Sequence, residues 1–333
     1  MDPLTQGTIG AVAANNLTKK KIVIASIFGF LSGMAADLDI FIRSSTDPLL
    51  FLEYHRQFTH SLIFIPVGGM ICALVFYALS RKKWQISFKE TWLFCTAGYA
   101  THALLDSCTS YGTQLFWPFS DYRVSWDVIS IIDPLFTLPL LTLVILGMKT
   151  KKSGYGKAAL VWIVLYMGFA LLQKQRAIDA GTELALSRGH QVETIEVKPT
   201  FGNLLLWKSI YEFDDKFYTD GVRVGLDTRS YPGTFVKKLN IKNDFPWLDT
   251  SSQQAKDIVR FAKFSQGFVA LHPENPNRVI DARYSLIPNQ IKPMWMIELD
   301  KTKNTAEHVD YKHNIKNIRS NYTLFWDMLW GRI

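Results

Sequence analysis

The strongest constraint on this chain is a change in how charge is spaced along it. Up to residue 173 it holds long uncharged apolar runs, among them Ser61–Ser80 and Ala158–Gln173. Beyond that point charged residues recur every few positions, and no run is long enough to span a bilayer. In lipid a backbone must satisfy its own polar groups, so apolar runs of this kind fold as helices. The expected fold is mainly α: a polytopic helical membrane bundle over residues 1–173, then a smaller soluble α+β domain over 174–333. A length of 333 residues leaves room for two such domains.

Within the first part the spacing predicts a helix from the opening MDPLTQGTIGAVAANN, with Pro3 in its first turn, and others at 22–36, 61–80, 91–108, 129–148 and 158–173. Residues 40–60 read as a loop or short interfacial helix. The first two helices have about 15 residues each, roughly 22 Å, and make a hairpin with lysines at its tip. The turns 18–21, 81–90 and 149–157 carry 11 basic residues and one acidic residue. The opposite ends and loops carry three basic and nine acidic residues. The positive-inside rule therefore puts the first set in the cytoplasm and residues 174–333 outside, in a multi-pass inner-membrane protein.

That orientation gathers the ionisable residues on the outer side. His102 and Asp106 lie one turn apart on one helical face, within an apolar segment. Asp37 and Asp39 end a rising helix, His55 and His60 flank the start of a descending one, and Asp127 and Asp133 lead into the next. Asp2 opens the first. Ionisable groups at membrane depth are costly and usually functional, and helix ends converging at one depth can build a metal site. Imidazoles and carboxylates together suit a divalent metal, Zn2+ foremost. Asp2 and Asp133 also stand where helix N-caps belong, each before a proline. An aspartate left unligated, Asp127 foremost or Asp133, is a candidate to take a proton from metal-activated water, and Arg56 or Arg123 to pair with a phosphate.

Taken together, MDPLT, AADLD, HRQFTHSL, GYATHALLD, SYGTQLFWPFS and the D…IIDPLFTLPLL run resemble the YdjM-like family of inner-membrane metal-dependent hydrolases. The likeness covers residues 1–173 and continues more thinly through 199–207, 260–268 and 279–286. That family is in turn similar to the zinc-dependent phospholipase C and single-strand nuclease superfamily, in which His and Asp residues gather zinc for phosphoester hydrolysis. The resemblance implies that His102 and Asp106 form the HxxxD pair, that Asp37 or Asp39 is the lone Asp, and that His60 or His55 is the following His. Where the family opening reads MDPLTH, this chain has Gln6. An amide is a poorer zinc ligand than an imidazole.

The implied activity is hydrolysis of a phosphoester, with a lipid or lipid-linked substrate suggested by Phe116, Trp117, Phe119 and Trp126 beside the site. The competing expectation is a non-enzymatic membrane protein with a structural metal site, whose outer domain mediates protein contacts. Membrane lipids are the expected surroundings. Neither half has a basic stripe interleaved with aromatics, although the net charge is +8, so nucleic acid is not an indicated partner. Cys72, Cys95 and Cys108 lie in or beside apolar helices and read as small core residues. In the second part, alternation predicts strands near 191–198, 204–213, 216–226, 267–272, 278–285 and 293–300, and helices over 251–265 and 315–330. Asp214-Asp215 and Asp220-Gly221 read as turn formers. The four histidines there, His190, His272, His308 and His313, are scattered and carry no assigned chemistry.

Overall fold

The computed structural model describes residues 1–313 and 322–333. The chain forms two compact units. One comprises Met1–Phe41, Tyr54–Leu171 and Phe201–Asn203, the other Ile42–Glu53, Leu172–Thr200 and Leu204–Ile333.

Seven helices fall in the first 187 residues: α1 (Pro3–Asn15), α2 (Ile22–Gly33), α3 (Leu50–Tyr54), α4 (Ile65–Trp84), α5 (Phe88–Ser107), α6 (Pro134–Thr150) and α7 (Gly154–Ser187). Their ends carry ordinary stop and start chemistry. Asp2 accepts from the Thr5 amide at the head of α1, Ser87 and Glu90 form a reciprocal capping box on α5, and Asp133 accepts from Leu135 and Phe136 on α6. Arg81, Lys82 and Lys83 close α4, where cations suit the helix dipole.

Among the described residues three segments are long and apolar enough to cross a membrane: Ile22–Phe41, Leu62–Trp84 and Gly154–Ser187. Pro134–Thr150 is apolar but shorter. Helix α5, expected to be a membrane helix in its own right, does not meet that measure. It packs against α1, α2 and α4, and it buries Thr91, His102, Asp106 and Ser107 on the face that also buries Phe94, Cys95, Tyr99 and Ala103, while Trp92, Leu93 and Leu104 stay exposed. On the face turned to other helices it can carry polar groups that a lipid-facing surface cannot.

Glycines bring α1, α2 and α5 together. A Cβ on Gly10 would stand 2.2 Å from the Gly29 carbonyl oxygen, and one on Gly98 would stand 2.4 Å from that same oxygen. Only glycine permits backbones this close, as at small-residue helix interfaces in membranes. The consequence for the site is that the end of α2 lies directly against the imidazole of His102.

Helix α7 corrects one boundary. It was expected to stop at 173, yet it continues through Ser187. Charge begins at Lys174, but residues 174–187 hold three Ala, two Leu and single Lys, Arg, Gln and Glu, all good helix formers, and lack proline, so helicity outlasts apolarity. Gly189, at φ 78°, ends it. The His190 amide reaches the Ala185 carbonyl and the Gly189 amide that of Leu186, the paired bonds of a glycine-terminated helix.

The second unit holds two four-stranded antiparallel meanders. The first runs β1 (Ile195–Pro199), β2 (Leu206–Phe213), β3 (Lys216–Val224) and β4 (Thr228–Lys237); the second runs β5 (Val269–His272), β6 (Asn275–Asp281), β7 (Trp295–Glu298) and β8 (Asp310–His313). Short α8 (Ile241–Asp244) and α9 (Gln253–Phe264) lie between them in sequence, and α10 (Tyr322–Trp330) follows. Ile210, Phe217 and Val236 of one sheet and Ala270, Ile280 and Met296 of the other share a core. Asp214 and Asp215, at φ 51° and 53°, make the two-residue turn between β2 and β3.

Asp220-Gly221, read as a turn, instead lies inside β3. Its buried carboxylate takes two bonds from Arg188, of 2.7 and 2.8 Å, and one from the Gly233 amide. Strands β4 and β8 had no expectation behind them. Pro232-Gly233 interrupts the first, and the second is four residues long with three of them exposed. Of the helix expected at 315–330, residues 322–330 are seen, and the rest lies outside the described residues.

Candidate metal centre

Helix α2 ends at Gly33, and a tight 3-10 turn over Ala35–Phe41 carries Asp37 and Asp39. After residue 54 the chain bends through Arg56, which has a left-handed backbone (φ 62°), and a second 3-10 turn, Phe58–His60, brings in His60. The last turns of α5 supply His102 and Asp106. From these three segments Asp37, His60, His102 and Asp106 each present one ligand atom, all lying within 4.8 Å of one another.

The spacing is informative. His60 Nε2 is 3.5 Å from Asp37 Oδ1 and 3.3 Å from Asp106 Oδ2; His102 Nε2 is 3.3 and 3.6 Å from the same two oxygens. Four ligands about 2.0–2.2 Å from one ion in a tetrahedron are roughly 3.3–3.6 Å apart. Moreover, the buried His60 Nε2, His102 Nε2 and Asp106 Oδ2 have no hydrogen-bond partner among the described residues. They are near enough to bond one another but misaligned for it, as atoms aimed at a common centre would be. Buried polar atoms left over in this way call for a further partner.

The other ring nitrogens are held. His102 Nδ1 donates to the Gly33 carbonyl at 2.6 Å, which leaves Nε2 with its lone pair. His60 Nδ1 lies 3.0 Å from Thr59 Oγ1 and 3.2 Å from Asp39 Oδ2. Backbone carbonyls and carboxylates behind ligating histidines are the usual means of fixing tautomer and ring orientation. Burial disfavours charge on His60, but Asp106, Asp37 and Asp39 outweigh it and push its pKa up to about 10. Three carboxylates around one imidazole make a place that demands positive charge, and a divalent cation supplies it. The residues therefore fit a metal ion.

Asp39 stands one step back. Oδ1 meets His55 Nδ1 at 2.7 Å, while Oδ2 accepts from Thr59 Oγ1 and from the Arg56 amide. Asp37, Asp39 and His55 also form a looser group that could hold a metal, although Asp39 is already heavily engaged. Arg56 is buried with Nε 3.1 Å from Asp106 Oδ2, its Nη1 on Thr109 Oγ1 and its guanidinium over the Tyr111 ring. Gln6 donates to Asp106 Oδ1 at 2.9 Å, and the Met1 amine bonds that oxygen as well. Position 6 is thus beside the cluster.

Three expected members do not join. Asp2 spends its carboxylate on the Thr5 amide and hydroxyl, capping α1. Asp133 caps α6 with one oxygen and accepts the Tyr166 hydroxyl at 2.6 Å with the other. Both sit before prolines, and capping is what their position serves. Asp127 is buried in a left-handed turn (φ 47°) and belongs to neither metal-holding group. Arg123 binds the Gly112 and His55 carbonyls and so fastens a loop. Thr59, Thr109, Tyr111 and Gly33 were not anticipated. Thr59 sits within HRQFTH, but a carbonyl donor such as Gly33 has no sequence signature.

The helices and buried His–Asp cluster define an apolar, membrane-type helical protein with a candidate metal centre. The profile of the YdjM inner membrane protein family matches residues 1–177. The chain belongs to that family. It is 37% identical over 81 residues to the inner membrane protein YbcI of Escherichia coli (strain K12), covering 23% of this chain and 44% of that one. It is 23% identical over 211 residues to the uncharacterized protein YfhP of Bacillus subtilis (strain 168), 62% of each chain. The chain thus spans less than two thirds of either curated relative. No solved structure matches it.

Proposed function

We propose that this protein is a membrane-bound, metal-dependent hydrolase acting on a phosphoester of a lipid or lipid-linked substrate. The observation that carries the reading is the set of four donor atoms within 4.8 Å of one another, the four His–Asp separations being 3.3–3.6 Å, with three of the atoms buried and lacking hydrogen bonds among the described residues. His60, His102, Asp106 and Asp37 would hold the ion, most suitably Zn2+. Bound there, a divalent metal lowers the pKa of a coordinated water and polarises a phosphoryl oxygen. Asp37 is the one partly exposed member of the set and marks the accessible side.

The surrounding side chains have work that suits this chemistry. Asp39 holds His55 Nδ1, making Nε2 the basic nitrogen of a partly exposed imidazole, and His55 replaces Asp127 as the proton acceptor. Arg56 brings a fixed positive charge beside Asp106 for a phosphate oxygen. Exposed Phe116, Phe119 and Trp126 in the loop after α5 suit a headgroup-level substrate.

A second reading has its own support: four protein ligands on one ion are typical of structural zinc, whereas catalytic zinc usually has three and a water. The test is elemental analysis of purified protein, joined to a hydrolysis screen over phosphodiesters and phospholipids. Metal with ligand-dependent turnover supports the hydrolase. Tightly held metal with no turnover supports the structural site, and absence of metal removes both.

The asymmetry of basic residues supports an outward-facing site and second unit in a multi-pass topology. A reporter active only in the cytoplasm, fused after Ile333, should stay silent; bright signal overturns the orientation.

A further inference from the structure

Apart from the candidate metal centre, the second unit carries an exposed aromatic and basic patch whose position is set by α7. The first charges after the apolar run of α7 are Lys174 and Arg176, the place where such a helix leaves hydrocarbon. The turn between β3 and β4 is fastened at this level. Gln173 Nε2 donates to the Val224 carbonyl at 2.6 Å, and Arg176 Nη2 donates to that of Gly225 at 2.7 Å. At the tip of the turn Leu226 is 107% exposed, fully open to its surroundings.

The same turn holds the end of α10. Arg223 Nε donates to the Leu329 carbonyl, and Arg229 Nη1 to that of Gly331. Phe325, Met328 and Leu329 face inward, while Trp326 (47% exposed) and Trp330 (56%) stack on the other side, ring centroids 6.4 Å apart. Arg223 and Arg229 share one carboxylate, Asp227, and among the described residues no carboxylate bonds Arg176. The patch thus combines an open leucine, two tryptophans and an excess of arginine.

We propose that Leu226, Trp326 and Trp330 dock into the anionic headgroup layer of the membrane that α7 enters, so that the second unit rests on the lipid surface as well as hanging from a helix. Tryptophan is favoured at the bilayer interface, and arginine is attracted to anionic lipid near the surface. A fully exposed leucine at a turn tip is costly in water and favourable in lipid. This inference rests on membrane insertion of α7 and is independent of the hydrolase reading.

The test uses the full-length protein in bilayers of phosphatidylglycerol and phosphatidylethanolamine, with or without brominated acyl chains, which quench nearby tryptophan. Emission of wild type minus that of Trp330→Phe isolates the patch from the other tryptophans. Brominated lipid should quench that difference about twofold or more, the expectation for an interfacial indole. Leu226→Trp, made in the wild-type background, should add emission quenched to a similar extent, which keeps the test open if Trp330→Phe fails to fold. Unquenched emission at the wavelength of indole in water overturns the proposal. Blue-shifted but unquenched emission also overturns it, since the patch would then be covered by protein, such as a second copy. Equal quenching in brominated phosphatidylcholine alone overturns the assignment to an anionic surface.

Discussion

Each unit has a cluster of buried or half-buried His, Asp and Arg, and the two clusters differ in how completely they are paired. In the second unit Arg260 donates to Glu53 at 2.6 Å, to Asp257 at 2.8 Å and to Asp47 at 2.7 and 3.1 Å. Asp257 also accepts from Gln253, from His308 at 2.9 Å and from the Val309 amide. No atom of these groups is left buried without a partner among the described residues. In the first unit His60, His102, Asp106 and Arg56 all have such atoms, each 3.1–3.3 Å from a possible partner but out of line with it. Similar residue types therefore serve two ends. A cluster that satisfies itself clamps the chain, here fastening segment 42–53 into the second unit. A cluster that leaves atoms over, close to one another, could hold a metal ion.

The sharpest way to break this contrast is to remove a converging atom. His102→Ala and Asp106→Ala should each lower zinc affinity about 100-fold or more, beyond the roughly 10–100-fold cost of a second-sphere change. Zinc titration of purified protein checks this, with His190→Ala as a control that retains wild-type affinity. Full occupancy in both site variants would erase the distinction between the clusters.

Asp39→Asn probes the supporting layer. Weakening the carboxylate behind His60 should reduce zinc affinity about 10–100-fold while leaving the stoichiometry intact. A change as large as that of His102→Ala would instead make Asp39 a ligand, favouring the group it forms with Asp37 and His55.

Arg260→Ala tests the other cluster. Leaving Asp257 and Asp47 without their shared cation should destabilise the second unit by about 1–3 kcal/mol, discounted because Arg260 is partly exposed. Thermal unfolding should register that loss with zinc affinity unchanged. A shift in zinc affinity would mean that the clamp also governs the site.

The smallest effect is expected from Gln6→His. Position 6 touches Asp106, so an imidazole there offers one more donor and should raise zinc affinity a few-fold, on the order of 1 kcal/mol. Identical titrations of both proteins would confine α1 to packing and to the hydrogen bond on Asp106.

Much of this arrangement was legible beforehand. The long uncharged apolar runs before residue 174 required helices, and alternation marked six of the eight strands described. His102 and Asp106 stood out because an ionisable pair one turn apart is hard to place in an apolar helix without a purpose. Asp127 is buried and lies outside both metal-holding groups, a placement that its acidity and neighbourhood in sequence do not reveal. Asp2 and Asp133 showed both possibilities at once, cap and ligand, and only their occupied oxygens decided for the cap. Strand β4 was hidden by a Pro-Gly pair that an edge strand tolerates.

What the sequence by itself determined were local properties: which segments avoid water, where helices begin, and which residue types can bind a metal. These follow from side-chain chemistry and from the fixed 3.6-residue period. Tertiary structure alone decided which of two neighbouring aspartates faces the centre, since Asp37 and Asp39 differ only in how a 3-10 turn is laid against α5. It decided too that segment 42–53 joins the second unit, through an arginine more than 200 residues away in the chain. Contacts at that separation depend on packing of the whole chain, and no local period records them.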